Sequence, residues 1–141
     1  MKRVLLILAI WSAMSVVALA QCAAMPCVVA TTSLTKQTHG IPPTTFFTPA
    51  TDGMFRISAY LGTTKAATNN AGGWLLVFRW NDGVRDRNTG TAAASASSNA
   101  GNATIVVYAV GGQPLEYRTL IVGGTAEGMK YDLHIVVEQL E

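Results

Sequence analysis

His39 and His134 are the two imidazoles of the chain. Hydrolytic chemistry needs such a base beside a hydroxyl or thiol nucleophile and an orienting carboxylate. His39 precedes a glycine in a polar stretch, and His134 sits between Asp132 and Val136 in an alternating run. There is no G-x-S-x-G elbow to present a serine. A surface or interface histidine is the better reading of both, and no catalytic residue is assigned. Asp82 and Asp86 could serve as the paired carboxylates of a glycosidase. However, Arg85 and Arg87 interleave with them, so "NDGVRDRN" reads as a solvated turn with compensated charges. The same arginines compete with a calcium loop built from Asn81, Asp82, Asp86 and Asn88. No metal site and no cofactor is assigned.

Cys22 and Cys27 are the two cysteines. In an oxidising compartment a local disulfide is the default, and so short a loop contributes little entropy. Two thiols without a nearby histidine or second cysteine pair do not close a zinc site. Lipidation of Cys22 is the lesser alternative, because Gln21 stands where a lipobox wants a small residue. Trp74 and Trp80 could stack on sugar rings, but their neighbours are apolar, which favours burial. Asn102-Ala103-Thr104 is a glycosylation sequon that matters only where the host glycosylates exported chains.

The elements that would position these residues follow a leader. Met1-Lys2-Arg3 is a positive start, Val4 to Val17 is almost wholly apolar, and Ala18-Leu19-Ala20 is a small-x-small cleavage pattern. Residues 1–20 read as a secretory signal peptide, and the apolar run is too short for a transmembrane anchor. The full chain has 10 Lys+Arg against 8 Asp+Glu. Lys2 and Arg3 supply that excess, so the remainder is balanced and lacks the basic patch that nucleic acid binding needs. The ~120 residues beyond the leader suffice for one domain.

Past the leader, alternation of period two recurs between Gly, Asn, Pro and Thr clusters, which predicts strands. Cys27 to Ser33 is the first, Thr35 to Pro43 a loop or edge-like run, and Thr44 to Thr48 a short strand. Phe55, Ile57, Ala59 and Leu61 form a core face, with Met54, Arg56, Ser58 and Tyr60 opposite. Trp74 to Trp80 is apolar on both faces except at Arg79. Arg85 to Gly101 is low in complexity, with at most one strand of small residues at Thr91 to Ser95. Thr104 to Val110, Leu115 to Val122 and Tyr131 to Gln139 alternate again, with Ile105, Val107 and Ala109 inward, and Leu115, Tyr117, Thr119 and Ile121 set against Glu116, Arg118, Leu120 and Val122. Seven to eight short strands at this spacing predict an antiparallel sandwich or barrel.

"FTPATDGMFRISAYLG" (Phe47, Thr48, Pro49, Gly53, Phe55, Ile57) and "IVVYAVGGQPLEYRTLIVGG" carry a resemblance. They look like the paired strands of the family of tumour necrosis factor and the globular heads of complement. The resemblance covers Phe46 to Gln139. It implies an all-β antiparallel jelly-roll sandwich of about eight strands and a trimer; no calcium or receptor loop of that family matches a position here. The expected organisation is a leader at 1–20, an N-terminal segment at 21–43 with both cysteines and the first strand, and the jelly roll at 44–141.

Met54, Tyr60, Val106, Tyr108 and Val136 would then form an apolar patch on second faces, and such patches mark association sites. The expectation is a secreted, non-enzymatic binding module, a homotrimer with an extracellular partner and no membrane anchor. The alternative is a monomeric carbohydrate-binding module using Trp74 or Trp80.

Overall fold

The computed structural model describes residues 24–68, 72–95 and 100–141, with 91–95 given by backbone alone. The expected leader and Cys22 lie outside the described residues. Eight strands follow one another: β1 (Cys27–Gln37), β2 (Thr44–Phe47), β3 (Gly53–Lys65), β4 (Gly73–Asn81), β5 (Asp86–Ser95), β6 (Ala100–Ala109), β7 (Leu115–Val122) and β8 (Lys130–Gln139). They form two antiparallel four-stranded sheets, β1-β8-β3-β6 and β2-β7-β4-β5. The protein is an all-β sandwich, and the described residues contain no helix.

β3 occupies an inner position and is paired along its length with β6 and β8. Its first face is the expected core face: Phe55, Ile57, Ala59 and Leu61 are all buried. In register with it, β8 contributes Leu133, Ile135 and Val137, and β6 contributes Val107 and Ala109. From the other sheet come Leu76, Phe78, Leu115 and Tyr117. Strict alternation is what two sheets packed face to face require.

Four departures from the sequence reading have physical reasons. β1 runs on to Gln37 and does not stop at Ser33, because β8 supplies ladder partners up to Tyr131. The extension needs a bulge between Leu34 and Gln37, where Lys36 takes a φ of 56° and its N–H donates to Asp132 Oδ1 at 2.7 Å. β1 therefore belongs to the sandwich, which begins at Cys27 rather than at 44. The low-complexity segment contains all of β5 and the start of β6. Backbone pairing with β4 holds β5. The alternating set Leu115, Tyr117, Thr119 and Ile121 does not stay together: the first three are buried and Ile121 is 47% exposed. β7 meets β2 no further than Tyr117, so its end has lost a neighbour on that side.

On β4, Trp74, Leu76 and Phe78 face the core, and Trp80 packs partly buried against it. Trp74 is 3% exposed, its ring centroid 5.1 Å from that of Tyr131. A stacking platform needs an open ring face, so the sugar-stacking alternative fails at Trp74. Its Nε1 is buried and unpaired among the described residues.

Candidate functional site

The outer face of the β1-β8-β3-β6 sheet collects every residue expected in the apolar patch. Register puts Met54 opposite Tyr108, and Arg56 between Val106 and Glu138. Ser58 stands between Thr104 and Val136, and Tyr60 between Asn102 and His134. β1 adds Val28 beside Glu138, Thr31 beside Val136 and Ser33 beside His134. Tyr60, Val106, Tyr108 and Val28 are 45%, 53%, 43% and 56% exposed, which is a high value for four large apolar side chains on one face. Met54 and Val136 are half-buried among them.

Several polar groups of this face satisfy one another. Arg56 donates twice to Glu138, at 2.6 and 3.0 Å. That fork holds the Glu138 carboxyl below its usual range and raises the guanidinium. Ser58 and Thr104 hydroxyls lie 3.3 Å apart. Tyr108 donates to Asp52 Oδ2 at 3.2 Å, and Asp52 Oδ1 accepts the Gly111 N–H at 2.8 Å. The Asp52 charge raises the Tyr108 phenol accordingly. A face whose charges are already paired loses less on burial than one with bare ions.

Tyr60 has an unusual neighbour. A Cβ on Gly62 would stand 2.6 Å from the Tyr60 hydroxyl and 2.7 Å from its ring. The ring therefore lies along its own strand over the glycine. Beside it is a shallow depression of about 320 Å³, lined by Ser58, Asn102, Thr104, His134 and Val136. "GTTKAATNNAGG" from Gly62 reads as turn-rich, yet Gly62 to Lys65 continue β3; an aromatic two residues before a mid-strand glycine was the available signal.

His134 is exposed on this face, its Nδ1 2.9 Å from Ser33 Oγ and its ring centroid 6.2 Å from that of Tyr60. Asp132 stands on the same face but accepts the Lys36 N–H, leaving the imidazole without an orienting acid among the described residues. His39 lies apart, before β2, with its Nδ1 2.8 Å from Thr38 Oγ1. The sequon residue Asn102 is exposed beside Tyr60, within this same face.

Cys27 carries no free thiol; its expected partner, Cys22, is outside the described residues. Among the described residues no three His, Cys, Asp or Glu side chains group as metal ligands, and no helix is long and apolar enough to cross a membrane.

The "NDGVRDRN" turn is built as its charges suggested. Asp82 Oδ1 accepts the N–H groups of Val84 and Arg85 at 3.0 and 2.9 Å, and Oδ2 accepts from Arg87. Asp86 takes Arg79 at 2.6 Å and Asn81 at 3.0 Å. The backbone bond from Arg85, then the Arg87 pair, lower Asp82 from 3.8 to about 2. Arg79 likewise lowers Asp86. A depressed folded-state pKa contributes stability above the unfolded value and loses it as pH falls through the folded one. The melting temperature is therefore expected to fall between pH ~4 and ~2. Asp82→Asn, which keeps an acceptor but loses the ion pair, should flatten part of that fall in calorimetry. A wild-type melting temperature constant from pH 6 to 2 would contradict it.

No family model matches the chain, and neither does any curated protein.

Proposed function

We propose that this chain is an exported, non-enzymatic jelly-roll module that assembles as a homotrimer through the outer face of the β1-β8-β3-β6 sheet. Its loops remain for an extracellular partner. The jelly-roll reading draws support from the pairing of β1 with β8, β2 with β7, β3 with β6 and β4 with β5. These are the pairs of one long hairpin rolled into two sheets. The threefold arrangement comes from the resemblance of the Phe47–Gly62 stretch to the tumour necrosis factor and complement head family.

The observation that carries self-association is the exposed set Tyr60, Val106 and Tyr108 on one sheet face whose Arg56–Glu138 ion pair and Ser58 and Thr104 hydroxyls are already partnered. Buried apolar area is the main driving force of such assembly. The balanced charge beyond the leader lowers the electrostatic cost of bringing like copies together.

Light scattering on the chain lacking residues 1–20 tests this. The expected mass is three protomers, falling to one in Val106→Glu, which sets a charge within the exposed apolar set. A wild-type monomer would sink the assembly. A dimer dissociated by the same substitution would keep the face and discard the threefold axis.

A further inference from the structure

The opposite surface of the sandwich, on the β2-β7-β4-β5 sheet, holds a second concavity of about 300 Å³. That is the lower end of small-molecule sites. Strand register explains it. Val77 faces outward between Arg118 of β7 and Gly90 of β5. Gly90 contributes no side chain, and Leu75 lies against the place where a Cβ would stand, 3.1 Å away. Two residues along β4, Arg79 stands between Glu116 and Asn88. Short residues at the centre and long ones around them leave a basin. Its floor is the buried Val77, and Pro43, Arg118, Glu116, Arg79, Asp86 and Asn88 line it.

The charges in the basin are not equivalent. Arg79 is committed, with Nη2 at 2.6 Å from Asp86 and Nη1 at 3.7 Å from Glu116. Arg118 is exposed and enters no ion pair among the described residues. Its guanidinium is an open fork whose geometry matches a carboxylate. Asn88 offers an amide on the far side of Val77. The rim carboxylates Asp86 and Glu116 accept from hydroxyls and repel a densely charged polyanion. Val77 and Pro43 offer apolar surface to one face of a ring.

We propose that this basin binds a carboxylate-bearing sugar, with the carboxylate on Arg118, the hydroxyls on Asn88 and the rim acids, and the ring on Val77 and Pro43. The site lies on the opposite sheet from the association face and does not depend on that assembly.

The test is titration of isotope-labelled protein lacking residues 1–20 with free glucuronate, and in parallel with glucose, followed by amide chemical shifts. The expected result is binding with Kd on the order of 1 mM, with shifts at residues 77, 88 and 116–118. Glucose should move these amides at least about tenfold less, and Arg118→Gln should weaken glucuronate by about tenfold or more, since the charge-assisted fork is lost. Lys65→Gln, at the exposed end of β3 on the other sheet, should leave binding unchanged, and the spectrum of each variant reports its fold. No shift in the basin at saturating glucuronate, equal response to glucose, or binding that survives Arg118→Gln would each overturn the proposal.

Discussion

Phe55→Ala is expected to cost about 3–5 kcal/mol of folding stability. Phe55 is 1% exposed, stands on an inner strand, and faces Phe47 at a ring separation of 5.5 Å. Its backbone is held on both sides, by Val107 of β6 and Gln139 of β8. The strand cannot move inward to fill the space the ring leaves, so the transfer loss and the cavity term both apply. A domain of this size has roughly 5–15 kcal/mol in total, so the variant would melt roughly 10–20 °C lower. Ser58→Ala, on the other face of the same strand, should stay within about 0.5 kcal/mol. Urea unfolding of the pair measures the contrast. A Phe55→Ala loss below about 1 kcal/mol would mean that the alternation of β3 does not set the core.

That alternation was legible because the polar Arg56 and Ser58 fall between the apolar Phe55, Ile57 and Ala59. The same holds for β8, whose inward set Tyr131, Leu133, Ile135 and Val137 is almost fully buried. The exposed patch proposed for association was legible from phase: Met54, Tyr60, Val106, Tyr108 and Val136 each fall out of phase with a core residue on their own strand. β5 was harder. Gly, Ala, Ser and Thr carry no amphipathic signal, and what fixes them is the backbone ladder offered by β4. The far end of β1 reads from the sequence as either a loop or an edge-like run, since an edge strand can be polar wherever its neighbour supplies the hydrogen bonds. The basin on the second sheet left no trace in the chain order. Pro43, Val77, Asn88 and Arg118 come from four separate parts of the sequence, and each alone reads as an ordinary outward residue. Only the pairing of β4 with both β5 and β7 makes Gly90 an absent wall and Arg118 an open one.

Thr119→Val is expected to destabilise the protein by about 1–3 kcal/mol although it preserves shape and volume. Thr119 is 3% exposed, buried and polar between the sheets. Ile41 N–H donates to its hydroxyl oxygen at 2.8 Å. The Tyr131 hydroxyl donates to the His39 carbonyl at 2.8 Å. With that proton spoken for, the 2.7 Å contact between Thr119 and Tyr131 has the threonine donating. The result is one directed chain, from Ile41 N–H through Thr119 and Tyr131 to His39 C=O. It crosses 92 residues of sequence to pin the segment before β2 onto β7 and β8. Valine removes both an acceptor and a donor from the middle, leaving the Ile41 N–H and the tyrosine oxygen without their partners. Tyr131→Phe removes the link to His39 and should cost a similar amount. The two losses belong to one network and should add to clearly less than their sum in a double-mutant cycle. Hydrogen exchange at Ile41 is the local readout. Its protection should fall in Thr119→Val, where the side-chain acceptor is gone, while the amide of Ile57 in β3 changes only with global stability. Strict additivity, or unchanged protection at Ile41, would show that this side-chain chain does not hold the segment, leaving packing and the Thr119 N–H bond to the Ile41 carbonyl to do so.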